Sequence, residues 1–256
     1  MAVSVDTVYQ KVLAFANKEQ RGYITPQEFN LFADQAQMEI FEQYFYDINQ
    51  FRRTPGNIHE YADMLTNLEE KISIFERYDR SISVQSTTSN PNFDSWGDII
   101  LTDQFSDLYR LGMVRVRYQT EPKYRQVEEI KLSELMTYNN APLTKSNKKR
   151  PYYIRYATLS GKDRIKIYPY PSSDETIDKV RISYTRKPMK PSWGYVVVND
   201  KPLYNSSNSI NFELHPAEES ELVYRILAFT GIAIEKPGLT QVAAGLEAGK
   251  MQQEKQ

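Results

Sequence analysis

The spacing of apolar residues changes twice along the chain, and this change most constrains the fold. Across residues 26–78 apolar side chains recur every three or four positions, which is the period of an amphipathic helix. Across residues 113–198 they alternate with polar side chains in short runs, as in strands, and the helical spacing returns after residue 215. The sequence therefore predicts an α+β protein in which helices at both ends bracket a β-rich middle.

The longest predicted helix begins at a capping box. Thr25 occupies the N-cap position, Pro26 the first helical position, and Glu28 the position whose carboxylate can reach back to the cap. We expect this helix to run to about Phe51. Its apolar stripe comprises Phe29, Phe32, Ala33, Ala36, Ile40, Tyr44 and Ile48.

A second long helix follows after a short loop. Pro55-Gly56 ends the first helix, and Asn57 with Glu60 opens the next one, which keeps the helical period to about Tyr78. A short connection between two long amphipathic helices predicts an antiparallel helical hairpin. A shorter helix over Ser4–Asn17, with Phe15 on its apolar face, is expected to precede them.

The middle of the chain predicts an antiparallel sandwich or barrel-like insertion. The expected strands are 113–118, 152–156, 164–168, 179–184 and 195–198, and a short helix opened by Ser133 is expected over 132–137. His215-Pro216 and the acidic residues after it open a C-terminal helix. The predicted division is a helical hairpin region at 1–80, a β-rich insertion at 81–213, and a C-terminal helix and tail at 214–256 that packs on or near the N-terminal helices.

Composition excludes several classes of active site. The chain has no cysteine and two histidines, His59 and His215, so it lacks the residues for disulfides, thiolate metal sites, a thiol nucleophile or a histidine metal cluster. The segment Gly245–Lys250 lacks the spacing and the Ser or Thr of a phosphate-binding loop. We therefore expect no catalytic residues, no cofactor and no metal, and a protein that is not an enzyme.

One enzymatic alternative stays open at this point. Four aspartates, Asp94, Asp98, Asp103 and Asp107, lie close together in the sequence, and metal-dependent nucleases use paired carboxylates. Turn formation and helix capping explain scattered aspartates more simply. Neither a signal peptide nor an apolar run of about 20 residues is present, so we expect no membrane association.

The net charge of −1 conceals a strong asymmetry. Residues 110–201 carry 20 basic and 9 acidic side chains, whereas residues 1–80 carry 8 basic and 13 acidic ones. Within the basic segment, a predicted loop and the strands after it supply Lys145, Lys148, Lys149, Arg150, Arg155, Arg164 and Lys166. Two interpretations remain: an ordinary solvated sheet face, or a surface that contacts DNA phosphates or an acidic partner. Interleaved tyrosines could also stack on single-stranded bases.

Aromatic residues on the long helix exceed what one buried face requires. Phe41, Phe45 and Tyr46 widen its apolar stripe, and the whole chain contains 19 tyrosines. Packing in the core is one explanation for these three side chains. Burial against a neighbouring subunit is the other.

Three stretches of sequence carry a resemblance to a known class of proteins. They are the segment from Val8 to Pro26, the helix start Glu28-Phe29-Asn30-Leu31-Phe32-Ala33-Asp34-Gln35-Ala36-Gln37, and the C-terminal Asn211-Phe212-Glu213-Leu214-His215-Pro216-Ala217-Glu218-Glu219. Together they resemble virion structural proteins of tailed bacteriophages, particularly podophages of the crAss-like and related marine groups. A helical bundle with a β insertion is also similar to phage head–tail adaptor proteins.

This resemblance implies a structural subunit of the phage neck. The expected assembly is a ring, often of twelve subunits, that joins portal to tail around the DNA channel in a virion assembled in the host cytoplasm. The expected partners are other copies of the chain, the portal protein and adjacent tail or ring proteins, with non-specific DNA contact possible and no membrane. A terminal tail commonly docks on the adjacent component of such rings, which indicates a docking role for Leu239, Leu246, Lys250 and Met251. The alternatives are a sequence-independent DNA-binding or packaging accessory protein, and another tail ring or tail tube protein.

Overall fold

The computed structural model of the protein describes residues 2–17, 24–53, 59–83, 99–101, 105–157, 161–169, 177–233, 245–246 and 248–249. The chain forms two compact units, a helical unit of residues 1–74 and 188–256 and a β unit of residues 75–187. Within the described residues, no helix is both long enough and apolar enough to cross a membrane.

The described residues contain both element types that the sequence predicts, which confirms the α+β fold class. The helices are α1 (Val5–Asn17), α2 (Pro26–Arg53), α3 (His59–Ser73), α4 (Leu135–Asn140) and α5 (Glu219–Ala233). The strands are β1 (Glu76–Ser83), β2 (Ile99–Ile100), β3 (Leu108–Tyr118), β4 (Arg125–Glu129), β5 (Tyr152–Ala157), β6 (Asp163–Tyr168), β7 (Ile177–Arg186), β8 (Tyr195–Val198) and β9 (Lys201–Tyr204).

The capping box forms as predicted at the start of α2. The Thr25 backbone N–H donates to Glu28 Oε2 at 2.9 Å, and the Glu28 N–H donates to Thr25 Oγ1 at 3.3 Å. The hydrogen bond from the Thr25 backbone, followed by the one from its hydroxyl, lowers the pKa of the Glu28 carboxyl. The box therefore satisfies two backbone donors that the first turn would otherwise leave without partners.

The core of the helical unit is built from the predicted faces of α1, α2 and α5. The buried side chains include Val5, Val8, Val12, Phe29, Ala33, Ala36, Ile40, Leu222, Val223 and Ile226. Phe15 is an exception to the prediction, because its side chain is 45% exposed. The N-terminal segment before α1 joins this core through an antiparallel bridge between Val3 and Phe212. Helices from both ends of the sequence thus share one core.

Two amides on α2 hold the segment that precedes α5. Gln37 is fully buried, and its Nε2 donates to the Met189 carbonyl at 2.8 Å while its Oε1 accepts from the Glu213 N–H at 3.1 Å. About two turns earlier, Asn30 Oδ1 accepts from the Trp193 N–H at 2.7 Å. These side chains supply hydrogen-bond partners for part-buried backbone groups of the segment that precedes α5.

A buried charge network joins α2 to α5. The Arg225 guanidinium donates to Glu221 Oε1 at 2.7 Å and to Glu39 Oε2 at 3.3 Å, and it also contacts Gln43. Only 8% of the Arg225 side chain and 6% of the Glu221 side chain are exposed. Because both charges are removed from water, each depends on the other for compensation.

The β unit is one curled, seven-stranded sheet with the strand order β1-β7-β3-β4-β5-β6-β2. Five of the six neighbouring pairs are antiparallel, as predicted, but β4 and β5 run parallel, with Glu128 opposite Tyr152 and Glu129 opposite Tyr153. Residues 130–151, which include α4, make the long crossover that a parallel pair requires. The insertion is therefore a single mixed sheet, and β8 and β9 form a separate two-stranded sheet.

One face of the seven-stranded sheet carries the core of the β unit. Its buried residues are Ile82, Ile99, Leu101, Phe105, Val114, Val116, Tyr118, Val127, Tyr153, Ile165, Ile167, Ile177, Val180, Ile182 and Tyr184. The alternation predicted for β7 is confirmed, since Val180, Ile182 and Tyr184 are all buried. We call this side the core face and the other side the second face.

Three boundaries differ from the predictions. Helix α3 ends at Ser73 rather than near Tyr78. At this end the Ser73 hydroxyl donates to the Glu70 carbonyl at 2.7 Å, and it thereby competes with the backbone N–H group that would continue the helix. Strand β1 begins at Glu76 and pairs with β7. The β unit accordingly spans 75–187, and residues 188–213 belong to the helical unit rather than to the predicted insertion.

The short helix near residue 132 forms without the predicted cap. A 3₁₀ turn covers Leu132–Glu134 and leads directly into α4. Lys131, not Ser133, occupies the N-cap position of that turn, and no side chain caps it.

Candidate functional site

The structure separates the predicted basic residues onto two faces of the sheet. Arg155 lies opposite Ile165 in the β5–β6 pair and is therefore on the core face, at its margin, where it forms an ion pair with Asp163 at 2.7 Å. Arg164 lies opposite Tyr156, and Lys166 lies opposite Ile154, on the second face. Arg155 thus does not belong to one surface with Arg164 and Lys166.

A tyrosine cluster occupies the second face beneath α4. Ile130, Tyr152 and Ile154 are buried there, and Leu135, Tyr138, Tyr156 and Tyr168 pack against them. The rings of Tyr138 and Tyr152 meet edge-on at 5.9 Å, and the Tyr152 hydroxyl donates to Asn139 Oδ1 at 2.5 Å. These tyrosines pack on one another, so most of their ring area serves the fold of the β unit.

A cleft of about 380 Å³ opens beside this cluster. It is lined by the side chains Gln126, Glu128, Tyr138, Thr144, Lys149, Arg150, Pro151 and Tyr152. Lys149 and Arg150 are exposed, and neither has an ion-pair partner among the described residues. The predicted loop tip is thereby confirmed as an exposed turn, in which Asn147 Oδ1 accepts from the backbone N–H groups of Lys149 and Arg150 at 2.9 Å each.

Exposed apolar side chains occur in the same loop and in the helical segment before it. Leu132 is 59% exposed, Met136 73% and Leu143 88%. Leu132 and Met136 are four residues apart, so they lie on one side of the helical segment, while Leu135 and Tyr138 turn inward to the tyrosine cluster. We call Leu132, Met136, Leu143, Lys145, Lys149 and Arg150 the 132–150 surface. The sequence indicated its cations but not its apolar members.

A second group of arginines, which the sequence did not single out, is neutralised on the second face. Asp79 accepts from Arg115 at 2.5 Å and also pairs with Arg181, and Asp178 pairs with Arg117. The hydrogen bond to Asp178 raises the pKa of Arg117. Alternation alone could have placed Arg115 and Arg117 on one face, but their acidic partners come from other strands.

Only part of the predicted aromatic interface on α2 is exposed at the surface. Phe41 is fully buried in the helical unit and packs edge-on against Phe45 at 5.1 Å, so the prediction of Phe41 as an interface residue is wrong. Phe45 is half-buried, whereas Tyr46 is 65% exposed. Tyr46 belongs to a stripe of exposed α2 residues at helical spacing: Gln27, Glu28, Leu31, Gln35, Glu42, Tyr46 and Asn49. We call this set the α2 stripe.

The hairpin of β8 and β9 exposes a further apolar surface. Asn199 and Asp200 make its two-residue turn with positive φ values of 50° and 59°, as a type I′ turn requires. Val196, Val197, Val198 and Leu203 are each about half exposed. A cleft of about 530 Å³ lies between this hairpin and α1, beside the buried Trp193.

The acidic cluster that the sequence singled out lies mostly outside the described residues. No group of three or more acidic, histidine or cysteine residues that could hold a metal occurs among them. Of the four clustered aspartates, Asp94, Asp98 and Asp103 lie outside the described residues. Asp107 accepts a hydrogen bond from the Tyr184 hydroxyl at 3.1 Å, and burial followed by that bond raises the pKa of Tyr184.

The predicted docking tail lies almost entirely outside the described residues. Leu239, Lys250 and Met251 are not described, and Leu246, which is, has a side chain that is 47% exposed. The tail therefore remains a prediction from the sequence.

Charge follows the division into units. The helical unit carries 12 basic and 19 acidic side chains, a net charge of −7, and the β unit carries 20 basic and 14 acidic ones, a net charge of +6.

No protein-family model matches this chain, and no curated protein is significantly similar to it in sequence.

Proposed function

We propose that this protein is a structural ring subunit of a bacteriophage neck, a head–tail connector that joins portal to tail around the DNA channel. The observation that carries the proposal is the opposite net charge of its two units, −7 and +6, together with exposed apolar side chains on both. Complementary surfaces on one subunit favour contacts between identical copies, and such contacts can close into a ring.

The resemblance of the chain's two helical ends to virion proteins supports the phage assignment. The described residues that carry it lie in α1, at the start of α2 and in the segment that leads into α5, all within the helical unit. Structural subunits also need no catalytic residues, which agrees with the composition. The expected partners are further copies, in a ring of about twelve by resemblance, with the portal and adjacent tail proteins on either side.

A mass measurement of the purified chain, with imaging of the assembled species and of the virion, tests this function. We expect closed rings in the purified protein or on the portal, and density for the chain at the neck. A chain that is monomeric at every concentration and missing from the virion would contradict the proposal.

The second candidate function is sequence-independent DNA binding by the β unit. It is favoured by the exposed Lys145, Lys149 and Arg150, which could release counterions from duplex phosphates. Binding of the free protein to duplex DNA should then weaken steeply with salt. A connector need not bind DNA in isolation, so the two functions differ in this measurement.

A further inference from the structure

The exposed part of α2 has a composition that is unusual for a solvated helix face. Its stripe runs for about 27 Å from Glu28 to Tyr46, at 1.5 Å per residue. The stripe contains two acidic residues, Glu28 and Glu42, and no basic one. It also contains two large apolar side chains, Leu31 at 71% and Tyr46 at 65% exposure.

The 132–150 surface has the complementary composition. Its segment presents three exposed cations, Lys145, Lys149 and Arg150, and three exposed apolar side chains, Leu132, Met136 and Leu143, while one exposed carboxylate, Glu128, lines the cleft with Lys149 and Arg150. A surface devoted to DNA phosphates gains nothing from exposed leucine and methionine, whereas a protein partner buries them. A partner that fits both features must itself combine negative charge with large apolar side chains.

We propose that the 132–150 surface of one copy binds the α2 stripe of a second copy. Opposite charges steer the two surfaces together, and burial of Met136, Leu143 and Tyr46 contributes the hydrophobic part of the contact. Because the two surfaces differ, the contact is head-to-tail and leaves both surfaces open at the ends of any chain of copies. Such a contact propagates into a ring or a filament. This inference rests on the proposed ring function and specifies its subunit interface.

The absence of native cysteine permits a direct test by cross-linking. The variants Tyr46→Cys and Met136→Cys each introduce one thiol into a chain that has none. Under oxidation, we expect an equimolar mixture of the two variants to form disulfide-linked dimers of one chain of each kind. Either variant alone should form at least tenfold fewer disulfide-linked dimers than the mixture. The control pairs Tyr46→Cys with Lys123→Cys instead of Met136→Cys. Lys123 is exposed in the turn between β3 and β4, outside the 132–150 surface, so this mixture should not form the mixed dimer.

Charge reversal provides the second arm. Lys149→Glu with Arg150→Glu should weaken self-association about tenfold, and Glu42→Lys in a second copy should restore it in part, because the reversed charges attract again. Lys123→Glu makes the same kind of change outside the surface and should leave association unchanged. Higher salt should weaken the wild-type contact as well.

The outcomes separate this inference from the ring function. A wild-type chain that forms closed oligomers without the mixed cross-link overturns the inference and leaves the ring function standing. Reversal variants that lose duplex DNA binding but keep their oligomeric state also overturn it, and assign the 132–150 surface to nucleic acid. A wild-type chain that stays monomeric throughout, alone and on the portal, overturns both.

Discussion

Lys71 Nζ lies 2.5 Å from Glu218 Oε1, and the Glu218 side chain is only 1% exposed. The ammonium group also sits 5.6 Å from the centre of the Tyr44 ring. Lys71 is in the last turn of α3, and Glu218 is in the 3₁₀ turn before α5, so this pair joins two distant parts of the helical unit. A buried carboxylate depends on such a partner because water cannot compensate its charge.

We therefore predict that Lys71→Met destabilises the helical unit by about 3 kcal/mol, because it removes a charge partner of the buried Glu218 carboxylate. Urea unfolding followed by circular dichroism measures the change. Combining Lys71→Met with Glu218→Leu should recover most of the loss, since an apolar pair needs no compensation. Lys11→Met removes an equally short but exposed pair with Glu219 and should cost less than about 1 kcal/mol. Equal costs for Lys71→Met and Lys11→Met would contradict the prediction.

The second prediction concerns the buried amide of Gln37. Gln37→Leu should cost about 1–3 kcal/mol, because the Met189 carbonyl and the Glu213 N–H lose their partners at part-buried positions. Hydrogen exchange at Glu213 should rise in the variant before global unfolding. Gln35→Leu changes an exposed amide two positions earlier and serves as the control. Unchanged protection at Glu213 would show that Gln37 does not hold this segment.

The third prediction concerns the pH dependence of the capping box. The folded-state pKa of Glu28 is lowered, so its contribution is present above the unfolded value of about 4.5 and is lost as the pH falls through the folded value. Stability below pH 4.5 should therefore fall more steeply in the wild type than in Glu28→Gln, which has no carboxyl to protonate. Thr25→Ala should cost about 1 kcal/mol at neutral pH. Parallel pH profiles of the wild type and Glu28→Gln would argue against the box.

The fourth prediction concerns Asp79, which pairs with Arg181 of the adjacent strand β7 and with Arg115 of β3, the strand beyond it. Asp79 has a positive φ of 58° at a bulge in β1. Asp79→Asn keeps a residue that tolerates this conformation but removes the charge, and we expect a loss of about 1 kcal/mol because the pairs are partly exposed. Asp79→Ala adds backbone strain and should lose more. Thermal unfolding measures the stability loss of both variants. Added salt should reduce the loss caused by Asp79→Asn by a larger fraction than the loss caused by Asp79→Ala, because salt screens the ion pairs but not the backbone strain.

Local signals predicted the helices well because their causes lie within a few residues. The capping box, the proline at the first helical position and the apolar stripe of α2 all act within the helix itself. The alternation in β7 likewise indicated which of its side chains are buried. Four strands were not predicted: β1, β2, β4 and β9. Of these, β1 and β4 have only Ile82 and Val127 as buried apolar residues, and most of their other residues are polar. They are strands because β7 and β3 lie beside them and complete their hydrogen bonds.

The candidate surfaces show the same division. The sequence indicated the cations of residues 145–150 and the surplus of aromatic residues on α2, since charge and helical spacing can be counted along the chain. It could not place Arg155 on the opposite face from Lys166, because that depends on strand register. Nor could it show that Phe41 is buried and Tyr46 is not, since they differ by five positions on one helix and only the packing of the other helices decides which side is covered.

The sequence by itself determined the α+β class, the start of α2, the alternation of the long strands and the basic middle of an almost neutral chain. Only the tertiary structure decided the parallel pairing of β4 with β5, the limits of the two units and the opposite net charges that those limits define. The physical reason is the range of the interactions. Caps and periodic stripes act between residues close in sequence, whereas strand register and burial depend on contacts between residues far apart in sequence.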